Sequence, residues 1–335
     1  MEVLFGILVL LVVLVNGWTD APNAIAGCVS TRCMSPEGAL LLSGICNFAG
    51  AVGMALISPK VAKTVFGIAD FGEDPRMALL ALCAALAAVI LWATLAWFFG
   101  IPTSETHALL SGLCGAALAN SMSLSSIHAR EWLLVLWGLL ASTLLSCLLG
   151  YAVCLTIRSL LISLNRRAVL KYFISAQRFS AATGSLMHGA QDSQKFMGVY
   201  MLGLSFLGAG RTEEWSSLPL SVVFLCAAVM TLGTFLGGAR IIKKVGCDMT
   251  SLDAVSSSVA DSASSITLAL CSFLGLPAST THTKTCAMMG VGFHNKRGNN
   301  PRVVAELIFA WLFTFPACAF LGFFLSRLLG TLFLP

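Results

Sequence analysis

Apolar runs separated by short polar loops fill this chain, at about 1–29, 38–57, 77–99, 101–120 and 132–157, then 187–207, 218–237, 253–275, 276–293 and 303–330. Most approach the roughly 20 residues that carry an α-helix across a bilayer. The runs 1–29 and 187–207 contain polar words that predict interrupted helices. The runs 101–120 and 276–293 are short and open on polar turns containing Pro102 and Pro277, so each reads as a re-entrant hairpin followed by a helix. The pattern predicts an all-α integral membrane protein.

The polar words come in pairs. Asn16-Gly17-Trp18-Thr19-Asp20-Ala21-Pro22-Asn23-Ala24 is echoed by His188-Gly189-Ala190-Gln191-Asp192-Ser193-Gln194-Lys195. Gly100-Ile101-Pro102-Thr103-Ser104-Glu105-Thr106-His107 is echoed by Gly275-Leu276-Pro277-Ala278-Ser279-Thr280-Thr281-His282. Asp20 lies 87 residues before His107, and Asp192 lies 90 before His282. The chain therefore divides into a first transmembrane repeat, 1–157, a basic cytoplasmic connector, 158–178, and a second repeat, 179–335. Five segments per half, an odd number, make the second half enter from the opposite side, giving two inverted-topology repeats.

Lysine and arginine test that topology, because they concentrate in cytoplasmic loops. With the N-terminus outside, the inner loops hold Arg32, Arg158, Arg166, Arg167, Lys171, Arg178, Arg240, Lys243, Lys244, Lys296, Arg297 and Arg302. The outer loops hold Lys60, Lys63, Arg76, Arg130 and Arg211, three of them balanced by Asp70, Glu73 and Asp74. The connector has no acid from Arg158 to Arg178, so it reads as an inner-face anchor, with an amphipathic helix on anionic lipid as the alternative.

Composition agrees: 57% hydrophobic residues, 10% charged and a mean hydropathy of +0.88 exceed what a soluble domain carries. The formal charge of +5 sits mostly in loops and calls for no nucleic-acid partner. Met1–Val15 lacks a basic leader region, so a cleaved signal peptide is not expected. The twelve cysteines are scattered through apolar runs without a CxxC pair and read as small buried thiols. The expected location is the cell membrane, as a multi-pass protein of a bacterial inner membrane.

Ionisable groups at membrane depth cost several kcal/mol unless paired or wetted, so function is their default reading. Lys195, Lys284, Asp20, Asp192, Glu105 and Asp261 fall in this class. Gly17 and Pro22 flank Asp20, and a helix unwound there frees carbonyls that with a carboxylate suit a small cation. Pro102 and Pro277 fit helix starts, where hydroxyls and unpaired N–H groups hold phosphate-like oxyanions. A single Ser/Thr cluster is ordinarily an N-cap, but two at matching places favour a site. His107 and His282 are either backbone partners or proton carriers. His188 and Asp192 have a spacing that can share a helix face, but without soft ligands nearby no structural metal is expected.

These words resemble those of the inorganic phosphate transporter family, the Pit-type phosphate/cation permeases. Asn16–Ala24, His188–Lys195 and Gly275–His282 carry the likeness, which continues through Gly237–Ile242 and Ala310–Thr314. The resemblance implies a helical inverted-repeat fold, an oxyanion site where hairpin tips meet, a sodium or proton coupling ion, no cofactor and a homodimer. It departs at Thr19 and Gln191, where the family has Asn, at Asn47, where many members have Glu, and at Glu105, where the word has Thr; Asp261 keeps the acid of the second half. Candidate phosphate-binding residues are Ser104, Thr106, Gln194, Lys195, Ser279, Thr280 and Thr281. Candidate coupling-cation residues are Asp20, Asn23, Glu105, Asp192 and Asp261.

The expected activity is secondary active transport of inorganic phosphate by alternating access, with no enzymatic role. Sulfate has the same shape but cannot donate a hydrogen bond to a carboxylate near pH 7, so nearby acids favour phosphate. An intramembrane hydrolase would need one Ser/His word, not two. A simple anion channel would not need paired acids.

Overall fold

The computed structural model describes residues 1–161, 165–208, 218–236, 242, 249–250, 252–294 and 298–333, with the backbone alone at 166–169. Arg211, Arg240, Lys243, Lys244, Lys296, Arg297, the side chains of Arg166 and Arg167, and the Gly237–Ile241 word lie outside the described residues. Helix α1 (Glu2–Thr19) passes into α2 (Pro22–Ser30), followed by α3 (Pro36–Ile57), a short α4 (Lys60–Phe66), α5 (Pro75–Phe98), α6 (Glu105–Ser121) and α7 (Ala129–Leu161). Then come α8 (Arg166–Phe206), α9 (Leu220–Phe235), α10 (Ala254–Leu274), α11 (Thr280–His294) and α12 (Pro301–Phe333). Among the described residues, six helical stretches are long and apolar enough to cross a bilayer: α1 with α2, α3, α5, α7, α10 and α12.

Local chemistry sets the boundaries. Ser35, Asp74, Ser104 and Asp253 each cap a helix by accepting a backbone N–H near its start. Pro22 cannot donate to the carbonyl of Trp18, so the first polar word breaks the helix at Asp20 and Ala21, as expected. The second word does not break: α8 is one helix from Arg166 to Phe206, against the expected interruption. The physical reason is that Ser193 and Gln194 stand where the first word has Ala21 and Pro22, so no backbone donor is lost. The first turns of α8 also take up much of the basic connector. A further difference is α4, which buries Val61, Ala62 and Val65 inside the predicted 58–76 loop.

Helices pair crosswise between the halves: α1 with α9 and α3 with α8, then α6 with α12 and α7 with α11. Each pair crosses at two glycines, one per helix: Gly17 with Gly233, Gly50 with Gly189, Gly115 with Gly322, and Gly150 with Gly290. A Cβ at any of these would run into a backbone carbonyl of the partner helix, which is how small residues let membrane helices approach closely. An apolar cluster including Phe5, Val9, Leu82, Leu109 and Phe196 packs α1, α5, α6 and α8 together.

The first turns of α10 are tied at the edge of the bundle. Arg158 donates to both oxygens of Asp253, at 3.0 and 2.9 Å. Although burial pushes the Asp253 carboxyl up, the Ser256 N–H and the Arg158 guanidinium outweigh it and hold its pKa below the ordinary value.

Candidate functional site

The two proline-led tips meet at the centre. Ser104 caps α6 by accepting the His107 N–H at 3.2 Å, and Ser279 caps α11 by accepting that of His282 at 3.3 Å. The Ser104 hydroxyl also donates to that of Ser279 at 2.8 Å, and Thr106 donates to the Ala278 carbonyl at 3.3 Å. Capping and site building are thus the same act here. The first N–H groups of each helix have no intrahelical partner, so two positive helix ends converge. Behind them the rings of His107 and His282 meet edge-on, 4.4 Å between centroids, against Phe315 and Trp311 of α12.

The acids of the first words lie against these tips. Asp20 accepts from Asn23 at 2.6 Å and from Thr281 in a very short contact. Thr280 Oγ1 is 3.0 Å from Asp20 Oδ2 and 3.0 Å from Asp192 Oδ2. That hydroxyl has one proton for two carboxylates, so one of the two contacts has no hydrogen between its oxygens. A cation or an added proton relieves such a pair. Asp20, Asp192 and His188 can each present a ligand atom within 4.8 Å of the others, and all three are buried.

The orientation of His188 follows from hydrogen bonds around it. Thr234 gives its proton to the Met230 carbonyl at 3.0 Å and must therefore accept from Asn47 Nδ2 at 3.1 Å. Asn47 Oδ1 then faces His188 Nδ1 at 3.1 Å, so Nδ1 carries the hydrogen. Nε2 is left pointing at Asp192 Oδ2, 3.3 Å away. This leaves Nε2 free either to hold a cation or to carry a proton.

Lys195 is fully engaged. Its ammonium donates to Thr106 at 2.6 Å, Asp192 at 2.5 Å and the Ala278 carbonyl at 2.6 Å, which uses all three N–H bonds. Of the other candidate phosphate residues, Ser104, Thr106, Ser279, Thr280 and Thr281 come together, whereas Gln194 turns to α4 and accepts from Ala62 N at 3.4 Å. The cavity bounded by Asn23, His188, Thr280 and Lys284 is about 20 Å³, room for a water-sized body and not a tetrahedral oxyanion. The centre is closed in this conformation.

Two departures from the family words meet each other. Thr19 and Glu105 form a very short contact between Oγ1 and Oε1, both buried, while Thr19 also lies 2.7 Å from the Val15 carbonyl. Asp20 and Asp192 both act electrostatically on Glu105, so three acids share this centre. Gln191 bonds Leu276 O at 2.8 Å and Ser272 at 2.6 Å, tying α8 to the second tip. Asp261 is placed elsewhere: Lys284 holds one of its carboxylate oxygens and Ser180 reaches the other at 3.4 Å. The sequence alone neither pairs Thr19 with Glu105 nor gives Asn47 its role over His188. The available signal was that Thr19 and Glu105 depart together in the words of one half.

The model for the phosphate transporter family matches residues 16–322. The chain is 34% identical, over 92% of its length and 90% of the relative, to a probable low-affinity inorganic phosphate transporter of Rhizobium meliloti (strain 1021). It is 29% identical, over 99% of its length and all of the relative, to one from Bacillus subtilis (strain 168). Its fold is similar to that of a solved structure described as the sodium-dependent phosphate transporter, with a TM-score of 0.88, 22% identity and 99% of each chain covered. The apolar helices and the match along most of its length make this chain a multi-pass membrane protein that belongs to the phosphate transporter family, a transporter and not an enzyme.

Proposed function

We propose that this protein is a secondary active transporter that carries inorganic phosphate with a coupling cation, by alternating access between two inverted repeats. The observation that carries the reading is the meeting of two positive helix ends, Lys195 and the hydroxyls of Thr106, Thr280 and Thr281 against Asp20 and Asp192. One set suits an oxyanion and the other a cation, and Thr280 belongs to both. Phosphate entry requires Lys195 and the threonines to exchange their internal partners for phosphate oxygens. Asp20, Asn23 and Asp192 then turn to the cation. The crosswise glycine crossings support two matching halves that rock against one another, and the setting is a bacterial inner membrane, as a homodimer. Purified protein in liposomes is expected to concentrate labelled phosphate under an imposed sodium or proton gradient, with weak competition from sulfate. Uptake indifferent to both gradients would reduce the protein to a pore.

Glu105 enters the coupling step on this reading. Thr19 has a single hydroxyl proton for the Val15 carbonyl and the Glu105 carboxyl, so one of those contacts depends on a proton supplied by Glu105 itself or is left without one. Glu105→Gln is expected to remove the dependence of uptake on pH or on sodium while leaving the protein folded. Ion and pH dependence identical to wild type would show that Glu105 has no part in coupling.

A further inference from the structure

Helix α10 is unusually rich in small hydroxyls for a buried membrane helix. Ser256, Ser257, Ser258, Ser264, Ser265 and Thr267 are all buried. Two of them face glycines: a Cβ on Gly27 of α2 would strike the Ser257 hydroxyl, and one on Gly184 of α8 would lie 3.7 Å from that of Ser265. Leu252 borders the Ser257 contact, and an apolar cluster of Cys28, Phe173, Ala181, Ala254 and Val255 packs the same three helices together nearer the start of α10. The hydroxyls of Ser257 on α10, Ser185 on α8 and Thr285 on α11 are buried without a hydrogen-bond partner among the described residues. The cavity beside His188 and Thr280 is lined also by Gly184, Ser264, Leu268 and Lys284.

Lys284 stands one turn beyond Thr280 on α11. Both it and Asp261 are buried, and among the described residues its ammonium has no partner except Asp261. Two of its three N–H bonds therefore have no acceptor. Helices α10 and α11 are already joined by a short tip, so an ion pair is not needed to bring them together, and buried pairs are seldom net stabilisers. Along α10 the seam runs from Ser264, which lines the central cavity, past Asp261 and Ser257 to Asp253, which Arg158 holds. Its far end carries the basic residues read as the inner face.

We infer that the polar seam between α2, α8 and α10 is the anion's path to the inner side, with Lys284 as a second phosphate-binding station held by Asp261 until phosphate takes its place. This rests on the phosphate-transport reading and extends it. A tetrahedral dianion offers Lys284 the acceptors it lacks, and the seam's hydroxyls can donate to the other oxygens. Asp261, released, is left to repel the anion onward.

The test is phosphate uptake into proteoliposomes by wild type, Lys284→Gln and the exchange of Asp261→Lys with Lys284→Asp. A pair that only holds helices works in either order; an anion station does not. The expected result is about a tenfold or greater loss of uptake in both variants, with the exchanged pair keeping wild-type thermal stability in detergent. Exchanged protein that transports at the wild-type rate, or Lys284→Gln that does so, overturns the inference. Should the exchanged protein fail to fold, Ser264→Cys gives an independent reading. An impermeant thiol reagent should modify it from the inner face, more slowly with phosphate present, and the site is read by mass spectrometry. Modification from the outer face alone, or no protection, overturns the inference. Wild-type liposomes that take up no phosphate defeat the transport reading itself, which separates that failure from failure of the exit station.

Discussion

Asp192→Asn is expected to lower ion-driven phosphate uptake by about 100-fold, the largest loss from any single side chain at the centre. Its carboxylate meets Lys195 at 2.5 Å, Thr280 at 3.0 Å, Asn16 at 3.3 Å and His188 at 3.3 Å. An amide keeps the size but removes the one full negative charge bonded to Lys195 among the described residues. Removing one partner of a buried pair costs about 3–5 kcal/mol, because the other charge is stranded. The variant therefore loses both a cation ligand and the anchor that aims Lys195 at Thr106 and Ala278. Asp20→Asn separates these effects. Asp20 is held by neutral donors, Asn23, Thr280 and Thr281, so its amide strands no bonded cation. Both variants should lose ion-dependent uptake, but only Asp192→Asn should also melt well below wild type in detergent. Either variant transporting within a few-fold of wild type would remove its acid from the cation site.

Much of this centre could be read from the repeated words, because each word carries its own local cause. Pro22 breaks a helix wherever it sits, and Ser104 and Ser279 cap helices through atoms three residues away. Repetition then indicated that Asp20, Asp192 and the two tips act together. What could not be read depends on packing between distant segments. The break expected in α8 is absent because its word lacks a proline, a difference visible in the residues but outweighed by the likeness of the words. Helix α4 is too short, and too mixed with Lys60 and Lys63, for its buried face to stand out. Asp261 carried no mark of its partner, since its meeting with Lys284 is set by the register of α10 against α11. The link from Thr234 through Asn47 to His188 crosses three helices.

Gly189→Val is expected to lower the melting temperature in detergent by roughly 10 °C and to abolish uptake. At the crossing of α3 with α8, a Cβ on Gly189 would overlap the Asn47 carbonyl, and one on Gly50 would overlap that of Leu186. Backbone on both sides leaves no flexible side chain to move aside, so the helices must separate. Overpacking of this kind costs about 1–3 kcal/mol and more where the neighbour cannot yield. Function suffers by a second route. Gly189 follows His188 directly, and Asn47, the residue it would displace, holds the His188 Nδ1 hydrogen and thereby turns Nε2 toward Asp192. Gly53→Ala on α3, the other helix of this crossing, is the control: nothing lies within 4 Å of its added carbon, so stability and uptake should match wild type. A Gly189→Val protein that melts with the Gly53→Ala control would mean that the α3 and α8 backbones do not meet at this point. One that melts with the control yet fails to transport would leave the crossing slack and the orientation of His188 as the sensitive element.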